Sequence, residues 1–285
     1  MNDERPSTHS PIPRVLTIAG SDSGGGAGIQ ADIKTVTCLG GYAMSAVTAL
    51  TAQDTRGVWG VHPVPPEFVA KQIEICLADL GADAAKTGML CNAEIVRAAA
   101  RVLRESTVER LVVDPVMFSK SRHRLLDESA EKALISEILP LAAVVTPNLP
   151  EASRLAGFEV TDLDGMRRAG KAILDMGPKA VVVKGGHLES GPVDVLYDGN
   201  DFFREFPGER IATKNTHGTG CTFSAALATF LAHGQPLPAA VANAKRFITE
   251  AIRHSLPLGG GHGPTNPLAA ARAIREANLN EQKRS

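Results

Sequence analysis

Val15-Leu16-Thr17-Ile18-Ala19, then Gly20-Ser21-Asp22-Ser23-Gly24-Gly25-Gly26-Ala27-Gly28, then the amphipathic run 29–39 follow one another without interruption. An apolar β-branched stretch, a glycine-rich turn and a helical repeat in that order read as strand, loop and helix. The order recurs down the chain. Apolar runs at 46–50, 84–87, 111–113, 143–146 and 180–184 predict further strands, and the stretches 66–80, 93–104, 129–139, 151–155 and 163–176 predict the helices between them. Repeated βα units define an α/β fold, with a mostly parallel central sheet covered by helices on both faces. Residues 193–197 and 202–206 flank Asp198-Gly199-Asn200-Asp201, which predicts an antiparallel hairpin at the sheet edge. Two more helices are predicted at 222–232 and 237–254. One domain is expected over residues 14–275, between a flexible N-terminal tail (1–13) and a polar C-terminal tail (276–285).

With 285 residues, 44% of them hydrophobic, the chain can bury a full core. Its 30 Lys and Arg against 31 Asp and Glu leave a formal charge of −1. That balance argues against nucleic acid or an anionic membrane as partner and in favour of small molecules. Cys38, Cys76, Cys91 and Cys221 are far apart, with no C-x-x-C spacing. Neither a zinc site nor a disulfide framework is expected, and a reducing cytoplasm fits. No apolar run reaches the roughly 18 residues of a membrane span, and the polar, proline-bearing segment 1–13 does not read as a signal peptide.

The chemistry gathers at Thr213-Lys214-Asn215-Thr216-His217-Gly218-Thr219-Gly220-Cys221, directly before the apolar helical run 223–231. Two glycines permit a tight turn at the helix start, where free N–H groups and the positive end of the helix dipole converge on one point and attract an anion. Cys221 falls in the first turn, where that field is expected to lower the thiol pKa and supply a thiolate as base or nucleophile. A Thr-capped helix with a small buried cysteine is the plainer alternative.

Ligands of open α/β sheets bind beyond the carboxyl ends of the strands. There the sequence places Gly20-Ser21-Asp22, Gln53, Gly88-Met89, Asp114, Asn148 with Glu151, and Lys184-Gly185-Gly186-His187. The first glycine-rich loop could hold phosphate on its backbone. It is not a P-loop, because it lacks the Gly-Lys-Ser/Thr ending, and it is not G-x-G-x-x-G, because Ile29 stands at the sixth position from Gly24. Asp32, inside the following helix, is either a surface acid or a ligand contact. Asn148 and Glu151 read either as a helix-capping pair, with Pro150 in the first turn, or as Mg²⁺ ligands facing a nucleotide's phosphates. Asp114, before Pro115, ends an apolar strand and is compatible with a simple turn. Lys184 closes Val181-Val182-Val183, where an ammonium is costly without a negative partner such as a transferring phosphoryl group.

Taken in order, the segments Ala19–Asp32, Thr48–Thr55, Lys86–Leu90, Asp114–Met117, Thr146–Ala152, Lys184–His187 and Asn215–Cys221 resemble the bacterial hydroxymethylpyrimidine/phosphomethylpyrimidine kinases of the ribokinase-like superfamily. The resemblance runs from Leu16 to about Pro264. It implies a ribokinase-like three-layer fold and an ATP- and Mg²⁺-dependent kinase without a Walker motif. Such an enzyme phosphorylates 4-amino-5-hydroxymethyl-2-methylpyrimidine and then its monophosphate, in thiamine biosynthesis. Carried over, the resemblance implies catalysis by Cys221, where many relatives have an Asp base, with Lys184 and the Gly218-Thr219-Gly220 anion hole. Asn148, Lys184, Thr213, Gly218 and Gly220 would bind the nucleotide, and Glu151, Asn148 and Asp114 the metal. Gln53, Asp32, Gly20, Ala27, Met89 and Val116 would form the pyrimidine pocket, with the Gln53 amide pairing to the amino group and ring nitrogen. A homodimer is implied too. Two departures stand out: Arg122, in the expected lid loop 119–123, replaces a frequent Gly, and Gly263-Pro264-Thr265-Asn266-Pro267 lacks a frequent histidine. Pyridoxal kinase activity, a cysteine hydrolase using Cys221 with His217, and an idle ligand-binding module are the alternatives.

Overall fold

In the computed structural model, which describes residues 12–117, 126–186, 188, 191–200 and 202–282, successive strand residues divide between two apolar layers. Val15, Val112, Val144 and Val182 face one layer, while their neighbours Leu16, Val113, Val145 and Val183 face the other. Side chains of a strand alternate between faces, so runs of consecutive valines require a sheet covered on both sides. The parallel strands are β1 (Arg14–Asp22), β2 (Tyr42–Gln53), β4 (Ala84–Thr87), β5 (Leu111–Val113), β6 (Val144–Val145) and β7 (Val181–Gly185). Antiparallel strands close both edges, β3 (Val58–Pro63) beside β2, and β8 (Val193–Tyr197) and β9 (Arg204–Pro207) beyond β7. The spatial order is β3-β2-β1-β4-β5-β6-β7-β8-β9.

One face is covered by α2 (Pro66–Asp79), α3 (Ala93–Glu105), α4 (Glu128–Ala133), α5 (Leu149–Ala156) and α6 (Leu163–Leu174), the other by α1 (Gly28–Cys38), α7 (Thr219–Ala232), α8 (Leu237–Arg253) and α9 (Pro267–Gln282). This is the three-layer arrangement that the strand–helix rhythm predicts. Helix α7 has almost no polar face: residues 222–229 are all buried, because the helix lies between the sheet and α8. The sheet reverses its order of growth between β1 and β4, and α7 packs against both strands and against α1. A crevice opens at such a switch point, beyond the carboxyl ends of the strands.

Several elements differ from the expectation. Strand β3 is not foreseen, because Gly60 and Pro63 interrupt a short apolar run whose pairing partner lies on β2. Residues 129–139 do not form one helix. Asp127 caps α4, a wide turn follows at Leu134–Ile138, and Pro140 sits in a tight turn at Leu139–Leu141. Helix α9 is not foreseen; its Ala270 and Ala271 are buried in the second apolar layer, and it runs on through residues 276–282, where the sequence predicts a tail. The expected lid loop 119–123 and His187 lie outside the described residues.

Helix α7 begins at Gly218, whose φ of +78° is left-handed. A Cβ there would collide with the carbonyl oxygen of Gly26 in the first loop. Gly218→Ala is therefore expected to lose at least about 1 kcal/mol from the backbone conformation alone, with the collision added. Urea unfolding measures it, and an unchanged midpoint would show that the two loops are not pressed together.

Candidate active site

Asp22, the last residue of β1, is buried and gathers the first glycine loop around itself. Its carboxylate accepts the N–H groups of Gly24 (2.8 Å), Gly26 (3.0 Å) and Ala27 (2.8 Å). The loop is thus not a free phosphate cradle, because its own carboxylate already occupies the N–H groups that would hold an anion. The same Oδ2 meets His217 Nε2 at 2.7 Å, which ties the loop before α1 to the loop before α7. Burial works to raise the Asp22 pKa, but the bond and charge of His217 and the N–H donors outweigh it and hold the carboxyl below its usual range.

With the loops tied, the N-termini of α1 and α7 meet at Cys221. The backbone of Gly28, first residue of α1, is near enough to the sulfur to pull its pKa down. Beside it lies a buried ion pair: Lys86 Nζ sits 2.9 Å from Asp32 Oδ2, which also accepts from Thr17 Oγ1 at 2.5 Å. Burial acts to lower the Lys86 pKa, but Asp32, with smaller contributions from Cys221 and Asp114, raises it and keeps the ammonium charged. Burial pushes the Asp32 carboxyl up against the opposing pull of Lys86 and Thr17. The thiol departs from expectation. Burial pushes Cys221 up to about 11, against the pull of Lys86 and the Gly28 N–H and with Asp32 and Asp114 adding to the rise. Desolvation of a thiolate outweighs the field of the helix ends, so in the unliganded protein Cys221 is a thiol.

Asp32 is neither a surface acid nor an open ligand, since it is 0% exposed and both oxygens are engaged. The sequence does not mark Lys86 as a site residue through its spacing. An ammonium inside the apolar strand Ala84–Thr87 demands a buried carboxylate, the same reasoning that flags Lys184.

On the other side of α7's first turn, Lys184 Nζ lies 2.8 Å from Asp114 Oδ1, and both groups stand directly over Gly220, 3.5 and 3.4 Å from where its Cβ would be. Thr146 and Ser224 hydroxyls, each at 3.4 Å, complete the surroundings of Asp114. Glu151 and Asn148 form the capping box: Asn148 Oδ1 accepts from Glu151 N and Glu151 Oε2 from Asn148 N, both at 2.9 Å. The backbone of Met117 also works to lower the Glu151 pKa. Among the described residues no three His, Cys, Asp or Glu side chains cluster closely enough to hold a metal by themselves. Asp114 and Glu151 nevertheless feel one another, since Asp114 adds to the rise that burial gives Glu151, to about 7 despite Lys184.

Gln53 ends β2 where the sequence places it, its main chain fixed to Ser23 Oγ by two bonds of 2.8 Å. Its amide lies between Thr51 Oγ1 (3.2 Å) and His217 Nε2 (3.4 Å). Met89 packs on Gly20, and Thr48 Oγ1 donates to the Met89 carbonyl at 2.6 Å. Ala27 and Val116 are half-buried at the same end of the sheet. Thr213 faces Ser255 instead (Oγ···Oγ 3.4 Å) and accepts from Asn215 N.

A helix-start glycine turn, a lysine and two carboxylates gathered at the switch point of the sheet suit an α/β phosphotransferase of the kind that needs no Walker loop. The family model for phosphomethylpyrimidine kinase matches residues 22–266, and the chain belongs to that family. It is 47% identical to the hydroxymethylpyrimidine/phosphomethylpyrimidine kinase of Haemophilus influenzae, over 92% of this chain and 99% of that one. It is 54% identical to the thiamine biosynthesis bifunctional protein ThiED of Geobacter sulfurreducens, over 94% of this chain, and spans 55% of that protein's length. Among solved structures, the ADP complex of Bacillus subtilis pyridoxal kinase superposes with a TM-score of 0.84 at 40% identity, covering 92% of this chain and 99% of that one.

The raised Glu151 pKa has a consequence for stability. A carboxyl near 7 in the folded protein against 4.5 when free contributes stability below pH 4.5 that is lost as pH rises through 7, because the folded state then binds more protons than the unfolded one. Glu151→Gln, which keeps an acceptor but cannot ionise, should gain on wild type over that window, by no more than about 3 kcal/mol. Parallel denaturation curves at pH 5 and 8 check this, and a constant difference would mean Glu151 ionises normally.

Proposed function

We propose that the protein is an ATP-dependent kinase that phosphorylates 4-amino-5-hydroxymethyl-2-methylpyrimidine and then its monophosphate to the diphosphate. The observation that carries the reading is the placement of Cys221 at two helix N-termini, with the Asp114–Lys184 pair over Gly220 beside it. The family match and the relatives' names supply the substrate class. Gln53, Met89, Gly20, Ala27 and Val116 line the side on which the ring would lie, with the Lys86–Asp32 pair beneath. The terminal phosphate would meet the N–H groups of Gly218 and Gly220 and the Lys184 ammonium, with Thr219 joining if its N–H leaves the Thr216 carbonyl (3.3 Å); Asn148 would lie further along the nucleotide, and Thr213 would have to turn from Ser255 to join it.

Asp114 and Glu151 fit a Mg²⁺ ion that keeps most of its water and binds through one or two carboxylates together with phosphate oxygens. Held by these carboxylates, it would supply neutralisation of the phosphate charge. The chain's own groups then act on the alcohol. Its hydroxymethyl oxygen attacks the terminal phosphorus, the bond to the ADP oxygen breaks, and the hydroxyl proton passes to the sulfur of the Cys221 thiolate, the form left once the thiol has given up its own proton to solvent. In a loose transition state the attacking oxygen carries little charge and gives up its proton late, so positioning by the anion loop contributes more than base strength.

Cys221→Ala is expected to slow transfer by roughly 10²- to 10⁴-fold, the usual contribution of a general base, with alcohol binding little changed. Because the thiol lies near 11, kcat/KM should climb with pH above 7, by up to about tenfold per unit if the thiolate is the active form. ADP release measured across pH with the aminopyrimidine alcohol tests both statements, and a flat profile in wild type would remove the thiolate from the mechanism. Pyridoxal is the informative competitor, given the likeness to a pyridoxal kinase.

Gln53→Leu removes the amide that would pair with the amino group and ring nitrogen. It should weaken binding of the alcohol by about 1–3 kcal/mol and leave an analogue lacking the amino group much less affected. Calorimetry with both ligands decides; equal losses for the two would reduce Gln53 to a turn residue.

A further inference from the structure

Asp194, on β8, is buried and directly opposite Lys184 in the antiparallel register of β7 and β8. Residues paired in this way point to the same face of the sheet, roughly 5 Å apart at Cβ. Two buried lysine–carboxylate pairs thus lie side by side on that face: Lys184 with Asp114 at 2.8 Å, and Asp194 with Lys245 of α8 at 2.9 Å. The second carboxylate has another bond. Its Oδ1 accepts the N–H of Gly185 at 3.0 Å, where the strand leaves the ladder, while Lys184 N donates to the Pro147 carbonyl at 2.8 Å. The backbone is therefore fixed on both sides of the residue whose ammonium stands over Gly220. Lys245 reaches Asp194 across Gly208, where a Cβ would lie 2.7 Å from its Cε.

We propose that Lys245 and Asp194 are positioning residues that aim Lys184 at the nucleotide phosphates. Asp194 pins the strand end through Gly185, and Lys245 neutralises Asp194 so that it does not draw the Lys184 ammonium away from Asp114. Without Lys245, a buried, unpaired carboxylate would face Lys184 across the strands, and the ammonium would have two acceptors in place of one. The inference rests on the reading of Lys184 as the phosphate-facing lysine.

The test is a set of variants assayed for ADP release, with KM taken separately for ATP and for the aminopyrimidine alcohol and melting temperature recorded. Lys245→Met should raise the KM for ATP or lower turnover by roughly 10- to 100-fold, the cost of misplacing a group by about an ångström, with the KM for the alcohol unchanged. Lys245→Arg keeps the charge and should behave as wild type. The double variant Lys245→Met with Asp194→Asn keeps an acceptor for Gly185 N and removes the competing charge, so it should recover most of the lost activity. In a Lys184→Met background, Lys245→Met should add nothing. If Lys245→Met does not fold, Lys245→Gln takes its place in every arm. Equal rises in both KM values, no recovery in the double variant, or full additivity with Lys184→Met would each overturn the proposal while leaving the kinase reading intact. A Lys184→Met enzyme with normal ATP dependence would overturn the phosphate-facing role of Lys184 and this proposal with it.

Discussion

The bond between Asp22 and His217 is the constraint on which the site depends. One buried carboxylate holds three N–H groups of the first loop and, through His217, the loop that opens α7, nearly two hundred residues further along the chain. Each bond to a charged acceptor is stronger than a neutral one, and removal of the carboxylate would strand several buried donors at once. The contact between Gly26 and Gly218, closed to any side chain, brings the two backbones to touching distance. As a result the N-termini of α1 and α7 share a single point, and Cys221 occupies it.

Around that point, charge is arranged in neutral pairs. Asp32 with Lys86, Asp114 with Lys184 and Asp194 with Lys245 are each buried or nearly so. Buried ion pairs seldom stabilise a fold by themselves, since desolvation offsets their attraction. Their presence at one end of the sheet is better explained by what they do to a visiting anion. A paired lysine is kept charged and in place, while the net field is left to the helix N-termini and loop N–H groups. The same desolvation explains why the Cys221 thiol is raised rather than lowered: the pairs around it cancel, and the helix ends do not make up the cost of a buried thiolate.

Of the two readings of Asn148 and Glu151, the structure bears out the helix cap. Their reciprocal bonds form a capping box that starts α5, yet Glu151 remains close enough to Asp114 and Lys184 for each to affect its ionisation. The structural role fixes the carboxylate, and a fixed carboxylate is what a hydrated cation between protein and phosphates requires.

Much of the fold was legible in the chain because the central strands are short runs buried on both faces while most helices other than α7 are longer and amphipathic, so length and hydrophobic period separate them. Strand β3 and helix α9 were not, since the first depends on a partner strand and the second on the apolar layer that receives its Ala270 and Ala271. The sequence by itself determined which residues stand at strand ends, that a glycine turn precedes an apolar helix, and that Lys184 needs a negative partner. Only the tertiary structure decided that the first glycine loop wraps its own Asp22, that Asp32 is consumed by Lys86, and that Cys221 is a half-buried thiol with a raised pKa. These outcomes join residues from opposite ends of the chain. Their energies come from desolvation and from donors supplied by other elements, and neither is written in local spacing.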